Sequence, residues 1–271
     1  MHREKCKVLE NKKVTPGHYV LRFASRKIPK NAQPGQFVQV LCDDSYEPLL
    51  PRPFSFLTVS KNDFSILYQV VGKGTQLLSG LKRGDSRWVI GPLGNGFSGK
   101  PKEENLVLVG GGVGIPPLYH LAEQLNYRTS SVATGRRPVN IHVFLGARHK
   151  SLLLCEKDFI KLGVDLKVTT DDGSKDKKGF VTSLLQDFLK NANPKKTRIF
   201  TCGPTPMLKA VSTIAGKYQV PCEVSVEVPM ACGFGACLGC ALKVRSKTSG
   251  HRFAIACCEG PVFEASEILW D

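Results

Sequence analysis

The chain has 271 residues, 42% hydrophobic and 23% charged, which excludes a disordered polymer and gives length for about two domains of roughly 150 residues. Lys and Arg outnumber Asp and Glu by 38 to 23; the resulting formal charge of +15 would attract any anion, from nucleotide to nucleic acid, and so selects no partner by itself. Apolar runs are as short as Leu106-Val107-Leu108-Val109, against the roughly 18 to 20 residues a membrane-spanning helix needs. The first thirty residues lack the apolar centre of an export signal, so a cytoplasmic protein is expected. The basic residues are not interleaved with aromatic stacking platforms, and binding to nucleic acid is not expected.

In chain order, β-rich runs come first: Tyr19 to Phe23, Gln36 to Leu41 and Phe64 to Val71, separated by turn residues. Their spacing predicts an antiparallel barrel or sandwich over residues 1–100, with a short helical run from Gln76 to Leu81. After the Gly/Pro/Lys segment Gly91 to Lys102 the pattern changes. Leu106 to Val109 reads as a buried parallel strand running through Gly110-Gly111-Gly112-Val113-Gly114 into a helix whose apolar face carries Leu118, Leu121, Ala122 and Leu125. Strands at Ile141 to Leu145, Val164 to Thr170 and Arg198 to Thr201 alternate with helices at Val181 to Leu189 and Met207 to Tyr218, the pattern of a doubly wound α/β unit over residues 101–221. Residues 222–271 read as a small third, β-rich module, with short strands at Ser225 to Val228 and Ala241 to Val244.

That last segment concentrates sulfur. Of ten cysteines, five fall between Cys232 and Cys258, and Cys232, Cys237 and Cys240 stand as C-x4-C-x2-C with Gly233, Gly235 and Gly239 among them. This is the spacing of a plant-type [2Fe-2S] loop, closed by a distant fourth thiolate at Cys257 or Cys258. Wrapping three thiolates round a compact cluster demands tight turns and backbone N–H groups close to sulfur, both of which glycine permits. Inert buried cysteines are one alternative. A zinc site is another, and with the positive charge it would suggest a zinc-stabilised nucleic-acid-binding protein; zinc leaves the x4 spacing and the glycines without a reason.

Two more segments suit anionic cofactors. Arg52-Pro53-Phe54-Ser55 sets a guanidinium beside a small hydroxyl, and Gly72-Lys73-Gly74-Thr75 opens a helix whose first N–H groups could cradle a pyrophosphate. The glycine run from Gly110 departs from G-x-G-x-x-G, since Pro117 stands where the third glycine would. It nevertheless lies between a buried strand and a helix, where a dinucleotide approaches a parallel sheet, and Cys202-Gly203-Pro204 ends a later strand of the same sheet.

Together these residues resemble the ferredoxin-NADP reductase superfamily, and most closely its electron-transfer subunits of NAD-dependent (class 1B) dihydroorotate dehydrogenase, over nearly the whole chain. Arg52, Pro53, Phe54 and Ser55 are similar to that family's RPxS flavin motif, Leu67, Tyr68, Gln69, Gly74 and Thr75 to its remaining FAD contacts, and Pro92 to Phe97 to its exit from the barrel. Gly111, Gly112 and Gly114 with Cys202, Gly203 and Pro204 resemble its NAD-binding signatures. Met230 to Cys240 is the most specific match. The resemblance implies Cys232, Cys237, Cys240 and Cys257 as cluster ligands, since Cys257-Cys258-Glu259-Gly260-Pro261 fits a closing Cys-x-x-Gly-Pro, with Cys258 a bystander.

The resemblance further implies a wire. A partner subunit oxidises dihydroorotate to orotate on its own FMN, electrons pass through [2Fe-2S] to FAD, and a hydride leaves to NAD+, in UMP biosynthesis. No catalytic acid or base is assigned. The expected assembly, by analogy, is a heterotetramer of two such chains with two catalytic subunits, the cluster module lying near the interface. Arg148 and Lys150 could receive the 2'-phosphate of NADP, whereas the resemblance favours NAD. A related class, the flavin and iron–sulfur subunits of ferredoxin:NADP or sulfur reductase complexes, often has Asp at the first ligand position, and Cys232 argues against it.

Overall fold

The computed structural model describes residues 1–99, 101–130, 139–246 and 248–270, and among these are six α-helices and fifteen strands. The expected boundary at residue 100 lies outside the described residues. The first six strands, β1 (His2–Thr15), β2 (His18–Ala24), β3 (Phe37–Val40), β4 (Arg52–Val59), β5 (Asp63–Gln69) and β6 (Ser86–Leu93), close an antiparallel barrel in the order β1-β2-β5-β4-β3-β6. Alternation decides what fills it: Val8, Leu21, Phe23, Val38, Val40, Phe56, Phe64 and Ile66 meet in one buried cluster. Helix α1 (Lys73–Ser79) follows β5 and covers one end through Leu78.

The second layer is a seven-stranded sheet in the order β10-β9-β8-β7-β11-β12-β15. Its members are β7 (Asn105–Gly111), β8 (Asn140–Ala147), β9 (Asp165–Thr170), β10 (Lys177–Lys178), β11 (Thr197–Cys202), β12 (Cys222–Ser225) and β15 (Val262–Glu264). All neighbours are parallel except β15, which runs antiparallel to β12. In β7 alternate residues serve opposite faces: Leu106 and Leu108 pack with α2 (Ile115–Ser130), Val107 and Val109 with α4 (Val181–Leu189) and α5 (Thr205–Tyr218). Burial on both faces is why this strand reads as a continuous apolar run. A further helix, α3 (Glu156–Leu162), starts at Cys155.

The last segment divides between two sheets. Strand β12 begins at Cys222, not at Ser225, so residues 226–230 run on without regular structure. β12 and β15 belong to the nucleotide sheet, whereas β13 (Ala241–Ser246) and β14 (Gly250–Ile255) form a separate hairpin, followed by the one-turn α6 (Ala256–Glu259). α1 likewise starts at Lys73, three residues ahead of the expected Gln76, because Gly72 caps it and the Thr75 hydroxyl reaches back to the capping backbone. Among the described residues no helix is long and apolar enough to cross a membrane.

The barrel and the sheet share a packed seam. Leu57 and Leu67 join the α2 cluster, and Phe37 and Leu93 join the cluster that contains Cys240 and Cys257. Polar contacts reinforce it: Ser98 N–H donates to Glu223 at 2.7 Å, the Ser98 hydroxyl bonds the same carboxylate, and Arg198 bridges Glu103, Glu223 and Glu264 at 2.9–3.0 Å.

Candidate functional site

A cleft of about 720 Å³ opens between the barrel, the carboxyl edge of the sheet and the start of the last segment. All nine expected flavin residues line it: Arg52, Pro53, Phe54, Ser55, Leu67, Tyr68, Gln69, Gly74 and Thr75. The antiparallel barrel brings these distant positions together, since Ser55 of β4 faces Phe37 of β3 and α1 begins directly after β5. Arg52 donates to the Leu50 and Pro51 carbonyls at 2.7 and 3.3 Å, and its Nε would lie 3.4 Å from a Cβ built on Gly74, which places the guanidinium over the first turn of α1. The cation and the first turn of α1 thus face the same anion space.

Two expected contacts also have structural work. The Thr75 hydroxyl accepts from Val71 N–H at 2.9 Å and Gly72 N–H at 3.2 Å and donates to the Gly72 carbonyl at 3.0 Å, so it holds the turn that shapes the cleft. Tyr68 is fully buried, donates to Asn11 at 3.3 Å and stacks on Tyr19 at 5.7 Å. Asn11 in turn donates to the Leu78, Ser79 and Leu81 carbonyls, tying β1 to the end of α1; nothing in the polar pattern of β1 singled it out.

Of the expected dinucleotide residues, Gly114, Cys202 and Gly203 reach the cleft, whereas Gly111, Gly112 and Pro204 are not in its lining. Gly111 instead backs onto Pro204 and Met207. Gly114 has to be glycine: a Cβ there would collide with the backbone of Gly203 and Cys202, so the two signatures are pressed into one surface. Cys202 is buried and beside Ser225, its partner in the β11–β12 register. Burial pushes its thiol up to about 12, although the Ser225 hydroxyl works against the shift. It is therefore a neutral packing surface at pH 7, unlike an activated nucleophile. Sequence reading took Ser225 to Val228 as a strand and did not place the segment from Val226 to Met230 against the cleft, where it forms the opposite wall. Nothing local signalled that role, because the segment carries no glycine pattern and lies in irregular chain.

The thiols lie next along the chain. Backbone N–H groups point at sulfur throughout: Gly235 to Cys257 at 3.1 Å, Cys237 to Cys232 and Gly239 to Cys237 at 3.5 Å, and Cys257 to Cys240 at 3.4 Å. Burial alone would raise the Cys232 thiol, but the N–H groups of Phe234, Cys237 and Ala236 and the Cys237 thiol bring it down to about 6. For Cys257, burial pushes the thiol up, with the Cys240 and Cys258 thiols adding to the shift. Cys240 and Cys257 are buried, Cys237 and Cys258 exposed, and the Cys257 and Cys258 sulfurs are 3.8 Å apart. Gly235, at φ +89°, admits Cys258 so closely that a Cβ would lie 2.6 Å from its sulfur. Among the described residues no three His, Cys, Asp or Glu side chains converge on a single metal ion. The thiols are grouped instead as Cys232 with Cys237 and Cys240 with Cys257, a donor set with N–H support that fits an iron–sulfur group.

A closed barrel, a nucleotide sheet and a cleft between them define a flavin-dependent oxidoreductase of the ferredoxin-NADP reductase type, extended by a thiol-rich module. Residues 108–213 match the model of the oxidoreductase NAD-binding domain, and residues 227–269 that of the iron–sulfur cluster binding domain of dihydroorotate dehydrogenase B. The chain is 38% identical over 271 residues to the dihydroorotate dehydrogenase B (NAD(+)), electron transfer subunit, of Desulforamulus reducens, covering 98% of both chains. It is 35% identical over 272 residues to the same subunit from Fusobacterium nucleatum, covering 99% of each. It therefore belongs to the family of electron transfer subunits of NAD-dependent dihydroorotate dehydrogenase B, whose units bind FAD, a [2Fe-2S] cluster and NAD. A solved NADH-dependent reduced ferredoxin-NADP oxidoreductase superposes with a TM-score of 0.81 at 32% identity, covering 98% of this chain and 90% of that one. Phthalate dioxygenase reductase, at 18% identity and a TM-score of 0.67 over 90% of this chain and 87% of that one, shares the fold.

Proposed function

We propose that this chain takes electrons from a catalytic subunit that oxidises dihydroorotate on FMN and delivers them to NAD+, in the synthesis of UMP. The observation that carries this reading is the shared wall of the cleft: Met230, two residues before Cys232, lines the same space as Ser55, Tyr68 and Cys202. Held by the thiols, a [2Fe-2S] centre would supply single-electron transfer, and FAD in the cleft would supply the conversion to a hydride.

The chain's own residues supply binding and exclusion. Arg52 and the first turn of α1 neutralise a pyrophosphate, and Pro53 to Ser55 with Leu67 to Gln69 form the barrel-side wall for the flavin. Gly114, pressed against Cys202 and Gly203 in one surface, leaves backbone room for the dinucleotide, and Gly111, Gly112 and Pro204 belong to the same two turns outside the lining. Cys232, Cys237, Cys240 and Cys257 hold the cluster and present it at the exposed Cys237 face to the partner. The three units are taken as residues 1–100, 101–221 and 222–271, the last sharing two strands with the nucleotide sheet. The complex is assigned as two of these chains with two catalytic subunits, in the cytoplasm.

A second reading, a reductase subunit serving ferredoxin and NADP, is favoured by the likeness to the ferredoxin-NADP oxidoreductase structure. Reconstitution separates the two. Anaerobically purified protein with a dihydroorotate dehydrogenase catalytic subunit should reduce NAD+ with dihydroorotate, and Cys237→Ser should abolish that coupling while FAD stays bound. Retained coupling in Cys237→Ser would contradict the proposal; activity with reduced ferredoxin and none with dihydroorotate would favour the second reading.

A further inference from the structure

Gln39 lies in β3, opposite Pro53 of β4 and Ile90 of β6. Its neighbours Val38 and Val40 belong to the barrel core, so Gln39, like Phe37, leaves the barrel on the outer side, and Phe37 packs in the cluster that holds Cys240 and Cys257. Gln39 is fully buried, yet neither its amide nitrogen nor its oxygen has a hydrogen-bond partner. Its carboxamide presses on the thiol loop. A Cβ on Gly233, the residue after Cys232, would lie 2.5 Å from Cγ and 2.7 Å from Nε2 of Gln39, and the φ of +83° at Gly233 also favours glycine.

Leaving a buried donor unpaired is costly, and native proteins pair nearly all such groups. Its strand partners Pro53 and Ile90 are apolar, and Gly233 of the sulfur loop packs directly against its amide. Gln39 itself is not in the lining of the flavin cleft, whereas its strand partner Pro53 and its neighbour Phe37 are. The carboxamide thus stands in the partition between cleft and thiols.

We propose that Gln39 is a positioning residue for the iron–sulfur group, donating its amide N–H to a sulfur of the cluster or of the Cys232 thiolate from the flavin side. The inference rests on the proposed function, since it requires the cluster. A hydrogen bond to sulfur stabilises the reduced, more negative form of a cluster and so raises its reduction potential. Gly233 is then a spacing residue that lets the amide approach.

The test uses the anaerobically purified complex, with Gln39→Leu and the unbranched Gln39→Met as paired variants. Potentiometric titration followed by electron paramagnetic resonance should show the cluster midpoint moving to more negative potential in whichever variant folds, with iron, sulfide and flavin contents and the flavin midpoint unchanged. Wild-type protein carrying 15N in its glutamine amides should show a nitrogen coupling to the reduced cluster that the variants lose. An unchanged cluster midpoint and no lost coupling would overturn the inference, as would a shift confined to the flavin. Wild-type protein devoid of iron and sulfide would overturn the proposed function instead.

Discussion

Two adjacent cysteines close the thiol loop, and their surroundings separate them. Cys257 is buried, accepts the Gly235 N–H and donates its own N–H to Cys240; Cys258 is exposed. Cys257→Ser should therefore lose iron and sulfide, and Cys258→Ser should keep both, as metal analysis of the purified variants will show; the reverse pattern would assign the ligand to Cys258. The spacing of the sequence narrowed the choice to these two and the resemblance to a closing Cys-x-x-Gly-Pro favoured Cys257; the burial of Cys257 and its N–H partners support that choice. His120 offers a second check at this scale. It is buried on α2, edge-on to Phe56 at 6.4 Å, and burial lowers it from about 6.5 to about 4. A base held neutral by burial binds its proton in the unfolded chain first, so its contribution is present above pH 6.5 and is lost as pH falls towards 4, on the order of 3 kcal/mol. His120→Leu should flatten the fall in melting temperature over that window; an unchanged pH profile would show that the acid sensitivity lies elsewhere.

Among the elements, α1 depends most on one side chain. Thr75 satisfies the Val71 and Gly72 N–H groups, and Thr75→Val removes both bonds at nearly constant volume. The loss should cost about 1 kcal/mol and speed FAD release, measurable by thermal melts with and without flavin and by flavin fluorescence on dilution. Equal flavin retention would mean that the turn holds without the hydroxyl. The elements that the sequence made legible were those with a pure period: β7 as an apolar run, α4 and α5 by their spacing, the thiol loop by its glycines. β1 was not, because only Cys6 and Val8 among its 14 residues are fully buried in the barrel and, apart from Leu9 and Val14, the rest is polar. Its place comes from pairing with β2 and β6, a long-range register that local pattern does not carry. For the same reason the wall from Val226 to Met230 and the partition at Gln39 were visible only once β3, β12 and the thiol loop were brought together.

At the scale of the whole molecule, the barrel, the nucleotide sheet and the thiol-bearing segment are joined by a seam that holds the cleft and the thiols together. Arg198 gathers Glu103, Glu223 and Glu264, and Glu223 also anchors Ser98 where the chain leaves the barrel. With the last segment supplying β12 and β15 to the nucleotide sheet, the cleft and the thiols are fixed to one frame. Such a frame suits electron transfer, which needs constant separation more than moving parts. On the proposed function, electrons cross from the thiol-bound group to the flavin in the cleft before reaching NAD+. Stopped-flow mixing of the anaerobic complex with dihydroorotate, with rapid-freeze paramagnetic resonance on the same time course, follows this directly. The cluster signal should rise before FAD bleaches, and NADH should form only after FAD bleaching; NADH forming at an undiminished rate in the cluster-free Cys237→Ser complex would rule out this route.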